Sequence, residues 1–369
     1  MGEQRKMMKI SYIGLTAALA FFTAAGQAQT KSGNTASKAK AAAKAPAVTV
    51  AELVTQGRIA EAVKLAAKSP GAAQSAMNSL MSSADAQIVV RKTAEAQAIL
   101  DSTQKFLDAC DKTGKMKELP RDALKGRQVR LQAIQLSDQG DYAKSEAFLR
   151  QALLISKNAK DPVLEAAVHN NLGYALQSMD LLEEAVKEYD TARQMADDQQ
   201  DNPRSATANF NLGETLYKLK RLDPALAAFK RAAEKGRAAS RPDIEAMAIR
   251  KQAVVMGAQD PHSAEAIRVY QEAETMFEKL GDHQNAGWTY FLMGDAVAYN
   301  MSFRQAAEYG EKALVLLTKA NHKPSLRRCL EFLGDMYGRL GDIPKAETYR
   351  KQAKDLEVKK QEPEPAVKK

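Results

Sequence analysis

A pattern of small residues that recurs about every forty residues constrains this 369-residue chain more than any other feature. Gly173 and Gly213 are each followed twelve residues later by an alanine, and seven residues after that by a second alanine. With weaker copies included, equivalent positions fall at residues 133, 173, 213, 254, 294 and 334, so the intervals are 40, 40, 41, 40 and 40 residues. Such a fixed period predicts a repeat protein, in which each unit buries its apolar face against its neighbours.

Each repeat reads as two amphipathic helices joined by a short turn. Apolar residues recur at helical spacing on both sides of turn sequences such as SMDLLE and RLDPAL. Aspartates in these turns are expected to cap the second helix, namely Asp141, Asp223, Asp260 and Asp342. A glycine inside a helix costs about 1 kcal/mol relative to alanine. We therefore expect Gly173 to permit a close helix–helix approach, with aromatic residues filling the space between hairpins, namely Tyr189, Phe229 and Tyr270.

The pattern resembles the tetratricopeptide repeat family in the Leu-Gly pairs at 172–173, 212–213 and 333–334 and in the alanines that follow them. The resemblance covers residues 119–357, and the long period is similar to that of kinesin light chain repeats. It implies an all-α fold, a right-handed α-α superhelical solenoid of about six helical hairpins.

Residues 50–118 are helical in pattern but do not follow the forty-residue period. We expect them to form an N-terminal helical cap on the solenoid. Within this cap, residues 50–70 predict a short hairpin and residues 86–112 predict one long helix.

The first 28 residues have the features of a secretory signal peptide. A basic start precedes the apolar run ISYIGLTAALAFFTAA and a small-x-small site that ends at Ala28. We therefore expect cleavage after Ala28, a periplasmic or secreted protein, and no transmembrane segment in the mature chain. The alternative is an uncleaved anchor, but the apolar run is shorter than the ~20 residues that span a bilayer. Residues 29–49 predict a flexible Ala/Lys-rich linker, and residues 358–369 a disordered tail.

The net charge of +9 is concentrated at the two ends of the chain. The first nine residues contribute +2, the lysines from Lys31 to Lys44 contribute +4, and the tail from Lys359 contributes +2. The body of the protein is therefore close to neutral. Nucleic-acid binding requires a basic face on the folded domain, so we expect no nucleic-acid partner. A lysine-rich linker that touches an anionic envelope surface stays open as a form of peripheral association.

No motif in the sequence is typical of catalysis, of a metal site or of a cofactor site. The four histidines have no second histidine or cysteine at metal-ligand spacing, and there is no phosphate-binding glycine loop or nucleophile motif. Asp260 with His262, or Asp282 with His283, would make a dyad, but capped turns explain the same residues better. We expect no enzymatic activity, no metal and no cofactor. Cys110 and Cys329 lie about five repeats apart and are expected to be separate buried thiols.

The resemblance implies that the first helix of each repeat lines a concave binding face. Asn171, Asn211 and Gln252 occupy equivalent positions in three consecutive repeats, and they would form an amide ladder that holds the backbone of an extended peptide. The alternative is that these amides bond only to backbone groups between helices. The other residues predicted on this face are Asn170, Tyr174, Phe210, Glu214, Tyr217, Trp288, Phe291, Asp295 and Tyr299. Trp288 is the preferred anchor because aromatic residues dominate binding interfaces.

These features together predict an exported scaffold or adaptor that binds a protein or extended peptide in a cell-envelope assembly. The principal alternative is an envelope protein that binds glycan or peptidoglycan, and an enzyme is a third option of low weight.

Overall fold

A computed structural model describes residues 48–68, 70–89, 92–114 and 119–358 of the chain. This described part consists of sixteen α-helices in successive packed pairs and contains no β-strand. The prediction of an all-α fold built from helical hairpins is confirmed. The proposed signal peptide lies outside the described residues, as do nearly all of the proposed linker and tail.

The helices divide into two compact units, whose boundary lies inside α7 between Glu165 and Ala166. In chain order they are α1 (Val50–Thr55), α2 (Ile59–Ala66), α3 (Pro70–Val89), α4 (Thr93–Thr113), α5 (Arg121–Asp138), α6 (Tyr142–Asn158), α7 (Pro162–Ser178), α8 (Leu182–Asp198), α9 (Asn202–Lys218), α10 (Leu222–Ala238), α11 (Pro242–Gln259), α12 (Ala264–Lys279), α13 (His283–Tyr299), α14 (Phe303–Lys319), α15 (Lys323–Arg339) and α16 (Ile343–Val358).

The forty-residue period arises because the two helices of most repeats have equal length. From α6 to α11, each helix begins twenty residues after the previous one, and α7 to α10 each contain 17 residues. Three residues connect neighbouring helices, and the middle one has a left-handed backbone conformation, as at Gln200 with φ 55°. The amide of Asp201 then donates to the carbonyl of Ala196 at 2.8 Å, which satisfies a helix-terminal carbonyl.

The capping prediction is correct for two of its four aspartates. Asp141 and Asp342 accept hydrogen bonds from the backbone amides three residues later, at 3.3 Å and 3.1 Å. Asp223 instead lies in the first turn of α10, after the N-cap residue Arg221. Asp260 is the C-cap residue of α11, and Ser263 caps α12 in its place. The prediction failed at Asp223 because this aspartate lies two residues after the N-cap position, and at Asp260 because the connection that follows α11 has four residues instead of three.

In the first unit, the cap region and α5 share one hydrophobic core. Leu100 and Phe106 of α4 are fully buried together with Leu124 and Leu131 of α5. The short hairpin predicted over residues 50–70 is confirmed by α1 and α2. The single long helix predicted over residues 86–112 is wrong, because α3 ends at Val89 and α4 begins at Thr93. The break lets α3 and α4 pack against each other, which one straight helix cannot do.

A buried ion-pair network also links α3 to α5 within the first unit. Both oxygens of Asp85 are engaged, one by Nε of Arg127 at 3.0 Å and the other by Arg130 at 2.8 Å. Arg127 also bonds to Asp161 at 2.6 Å. Removing one partner of a buried ion pair leaves an uncompensated buried charge, so this network fixes how α3 sits on α5.

In the second unit, Gly173 and Gly213 lie against the aromatic residue of the same repeat. A Cβ atom at Gly173 would lie 2.7 Å from two ring carbons of Tyr189, and one at Gly213 would lie 2.8 Å from the ring of Phe229. Both rings are fully buried. Gly173 therefore makes room for the Tyr189 ring of its own hairpin, whereas the sequence predicted a close approach of helices there and a ring between hairpins.

Candidate protein-binding surface

Polar and aromatic side chains connect the first helices of successive repeats throughout the second unit. Contacts join α7 to α9 through Asn170 and Asn211, α9 to α11 through Glu214 and Lys251, and α13 to α15 through Phe291 and Phe332. Between α11 and α13, the Arg250 guanidinium donates to the side-chain oxygen of Asn285 at 2.9 Å. We use the name first-helix face for the solvent-accessible surface that α7, α9, α11, α13 and α15 form together.

At the N-terminal end of this face, two asparagine side chains form a pair across two repeats. The side-chain amide of Asn211 donates to the side-chain oxygen of Asn170 at 3.1 Å, and both residues are half-buried. Among the described residues, nothing bonds to the amide nitrogen of Asn170 or to the side-chain oxygen of Asn211. The pair therefore presents one donor and one acceptor to solvent, which complement the C=O and N–H groups of a peptide backbone. The nitrogen and oxygen of an asparagine amide can be assigned either way round. If both amides are reversed, the pair still leaves one N–H donor and one oxygen acceptor free.

The structure does not bring Asn171, Asn211 and Gln252 into one hydrogen-bonded ladder. Asn211 pairs with Asn170, and the amide of Gln252 donates across the helix pair to the backbone carbonyl of Phe229 at 3.4 Å. Gln252 therefore makes the inter-helix contact that the alternative interpretation describes. Asn171 is half-buried and also has an interaction partner within the protein.

The centre of the face carries an ion pair with a lysine beside it. Lys251 Nζ lies 2.8 Å from Glu214, and both side chains are largely shielded from solvent. Desolvation lowers the pKa of Lys218, while Glu214 and Asp180 act in the opposite direction. Tyr174, Phe210 and Tyr217 are half-buried in the same region, and the ring of Phe210 packs edge-on against Phe229 at 5.6 Å.

The C-terminal part of the face is an aromatic cluster on α13 and α15. Trp288 and Phe291 stack with ring centroids 4.7 Å apart, and Phe332 meets Phe291 edge-on at 5.3 Å. The guanidinium of Arg328 lies over the Trp288 ring at 5.1 Å. All four side chains are half-buried, so this cluster combines an apolar surface with a cation that solvent can reach.

Asp295 and Tyr299 lie at the exposed edge of α13. Partial desolvation raises the pKa of Asp295, and the positive charge of Arg328 opposes that rise. Tyr299 is 63% exposed, and its ring lies 5.5 Å from that of His262. Tyr299 is thus in contact with the turn between α11 and α12 of the preceding repeat, whereas Trp288 and Phe291 belong to the aromatic cluster.

Lys251 and Phe332 belong to the face but were not among the predicted site residues. A sequence signal exists for Lys251, which lies three residues before an anchor position, as Asn170 and Phe291 do. The equivalence of Lys251 to Asn170 and Phe291 is hard to recognise because this repeat has Val254 in the position of the glycine. Phe332 also has a sequence signal, since it lies two residues before the anchor Gly334, as Asn171 and Asn211 do before theirs. It was overlooked because the search at this position was for amides, and its ring packs on Phe291 of the preceding repeat.

Several groups that would be considered for chemistry have structural partners instead. Asp260 accepts from the backbone amide of His262, whose ring contacts Asn300, so Asp260 and His262 do not form a dyad. Asp282 caps α13 by accepting from the amide of Asn285 at 3.0 Å. Burial raises the pKa of the free thiols of Cys110 and Cys329 to about 11 and about 12, so neither is an activated nucleophile. Within the described residues, no group of three or more His, Cys, Asp or Glu side chains is placed to hold a metal ion.

One buried acid lies on the second helices, away from the first-helix face. Burial raises the pKa of Glu274 in α12 to about 7, and the adjacent Glu278 adds to the rise. A hydrogen bond from Tyr290 and the positive charge of Lys312 act against it. Glu274 is therefore a group whose ionisation changes near neutral pH.

Residues 164–236 match the family model of the tetratricopeptide repeat. This segment contains most of α7 to α10, including Gly173 with Tyr189 and Gly213 with Phe229. This segment of the chain is built from tetratricopeptide repeats. The resemblance inferred from the small-residue pattern is thereby confirmed, and the repeat match supports a role in protein–protein interaction.

Solved structures share this tetratricopeptide fold at low sequence identity. RapI in its apo form is 14% identical over 78% of this chain and 77% of that chain, with a TM-score of 0.62. The apo form of the quorum sensor NprR from B. thuringiensis is 14% identical over 77% of this chain and 76% of that chain, with a TM-score of 0.56. A signal transduction ATPase with a tetratricopeptide repeat sensor, from Pyrococcus horikoshii, is 16% identical over 84% of this chain and 47% of that chain, with a TM-score of 0.59.

These structural likenesses establish the fold alone. No curated protein sequence matches the chain. None of the helices in the described ranges combines the length and the apolar character that crossing a membrane requires.

Proposed function

We propose that this protein is an exported interaction scaffold that binds an extended segment of a partner protein on the first-helix face. The observation that carries the proposal is the Asn170–Asn211 pair, which leaves one amide donor and one carbonyl acceptor free at a half-buried position. Two such groups match the backbone of a peptide of any sequence. The half-buried rings of Trp288 and Phe291 on the same face supply the apolar contact that interface anchors provide.

Export to the cell envelope is part of this proposal and is supported by the N-terminal sequence. A basic start, an apolar run and a small-residue site ending at Ala28 form a complete secretion signal. N-terminal sequencing of the protein recovered from producing cells tests this part directly. We expect a mature chain that begins at Gln29, and an N-terminus ahead of the apolar run would contradict cleavage.

Site-specific photo-crosslinking in producing cells tests the binding surface. A photoreactive residue at Tyr174 or Tyr217 on the first-helix face should give a crosslinked protein adduct of defined mass. The matched control position is Gln271, which is exposed on the second helix α12. Adducts that form equally from Gln271, or from none of the three positions, would contradict the proposal.

The amide pair is tested by the double variant Asn170→Ala/Asn211→Ala. We expect the crosslinking yield at Tyr217 to fall, while the free energy of unfolding changes by no more than about 1 kcal/mol, because the residues are not in the core. Co-sedimentation with purified peptidoglycan sacculi that persists in the double variant would favour the glycan-binding alternative instead.

A further inference from the structure

Arg328 differs from Arg327 and Arg350 because its guanidinium has no acceptor among the described residues. The adjacent Arg327 forms an ion pair with Glu331 at 3.3 Å, and Arg350 forms one with Asp335 at 3.4 Å. The nearby carboxylates of Glu331 and Asp335 are therefore already engaged. Arg328 keeps its N–H donors available at a half-buried position.

Packing on an aromatic ring fixes the position of the Arg328 guanidinium. Its central carbon lies 5.1 Å from the centroid of the Trp288 ring, and Trp288 itself is stacked on Phe291 with an interplanar angle of 19°. A guanidinium whose flat face packs on a ring still has N–H groups along its edge, and these can donate hydrogen bonds to both oxygens of a carboxylate. The arrangement is a preorganised binding site for a planar anion, whose oxygens would accept hydrogen bonds from the guanidinium.

Asp295 is an acidic group close enough to interact electrostatically with Arg328. It makes no hydrogen bond to the guanidinium. An incoming carboxylate therefore gains charge-assisted hydrogen bonds that Asp295 does not make. The apolar faces of Trp288 and Phe291 beside it favour a ligand that is apolar next to its acidic group.

We propose that Arg328 and Trp288 form a subsite for an Asp or Glu side chain of the bound segment, with an apolar residue of that segment packed against Phe291. The inference rests on the proposed function and adds the chemical class of the ligand, an acidic peptide. A side-chain carboxylate is favoured over a chain terminus because α15 contains no Asn or Gln to fix a terminal carboxylate beside Arg328.

Selection from random peptide libraries tests the ligand class without knowledge of the natural partner. One library presents peptides tethered at both ends, and a second presents peptides with a free C-terminus. We expect the full-length protein to select, from the tethered library, peptides in which Asp or Glu lies next to an aromatic or aliphatic residue. Enrichment confined to the library with free C-termini would overturn the assignment to a side chain.

Trp288 reports on the subsite by fluorescence, because it is the only tryptophan of the chain. A selected peptide should change its emission on titration. Arg328→Gln should then weaken binding of the same peptide roughly ten- to a hundred-fold, the usual range for losing hydrogen bonds to a charged group. Arg328→Lys should give an intermediate loss, since it keeps the charge and loses the planar fork. The matched control Arg327→Gln, next to it on α15, should change affinity less than two-fold.

The controls separate failure of the subsite from failure of the proposed function. Selected peptides that bind the Arg328→Gln variant as tightly as the unmodified protein, or that lack acidic residues, would overturn the subsite. If those peptides still lose binding in the Asn170→Ala/Asn211→Ala variant, the proposed function stands. If no selected peptide responds to either variant, both proposals fail. Equal thermal unfolding curves for the Arg327 and Arg328 variants show that the comparison is between folded proteins.

Discussion

Replacing Gly173 with alanine tests whether the small-residue pattern exists to admit an aromatic ring. The new Cβ atom would lie 2.7 Å, 2.7 Å and 2.9 Å from three ring carbons of Tyr189. The ring is fully buried, and its hydroxyl donates to Gln177 at 3.2 Å, so it is held at its far end as well. The ring therefore cannot move aside without breaking another contact.

The expected magnitude follows from two opposing contributions. Overpacking of a well-packed core costs about 1–3 kcal/mol, and three contacts below 3.0 Å place Gly173→Ala in the upper part of that range. Alanine in a helix is favoured over glycine by about 1 kcal/mol. We expect a net loss of about 1–2 kcal/mol in the free energy of unfolding. Gly257→Ala is the matched control, because Gly257 is helical with nothing within 4 Å of its added Cβ, and it should gain up to about 1 kcal/mol.

Urea unfolding followed by circular dichroism at the helical band measures both variants. A double-mutant cycle with Tyr189→Leu isolates the contact, since the cost of Gly173→Ala should shrink when the ring is absent. If Gly173→Ala is as stable as the unmodified protein, or shifts stability in the same direction as Gly257→Ala, the packing explanation is wrong.

Three further perturbations address other parts of the structure. The folded-state pKa of Glu274 is about 7, above the ordinary 4.5, so the acid stabilises the fold while protonated and this contribution is lost as pH rises from about 4.5 to about 7. Glu274→Gln should therefore raise the free energy of unfolding above pH 7 by about 3 kcal/mol at most. A variant whose urea unfolding has the same pH profile as the unmodified protein would refute this prediction. Glu272→Gln, at an exposed position of the same helix, is the control. Asp85→Ala leaves two buried arginines without their shared partner and should destabilise the first unit by about 3–5 kcal/mol, measured as faster limited proteolysis of the cap helices. Met301 has a left-handed backbone with φ 60°, which glycine adopts without strain, so Met301→Gly should stabilise the protein by up to about 1 kcal/mol in thermal unfolding. Gln305→Gly in the helical part of α14 should destabilise it by a similar amount. Equal effects of the two substitutions would contradict the backbone argument.

The amino-acid sequence alone determined the hairpin architecture, because the constraint is local and is repeated in each unit. Gly173 and Gly213 recur with an aromatic residue sixteen positions later, and the ring fills the same space in both copies. The break between α3 and α4 was not predictable in this way, since the cap region has no second copy with which to compare it. The turn conformations were also missed, because Gln200 adopts a left-handed backbone at a position where glycine is the usual signal.

Only the tertiary structure decided which side chains of the first-helix face meet one another. Helical phase places Asn170, Asn211 and Gln252 on the same side of their helices, but the neighbouring helix determines whether an amide reaches another amide or a backbone carbonyl. The packing of Arg328 on Trp288 joins residues forty positions apart in different repeats. Sequence periodicity specifies the direction in which each side chain leaves its own helix, whereas contacts between repeats depend on the distance and angle at which two helices pack.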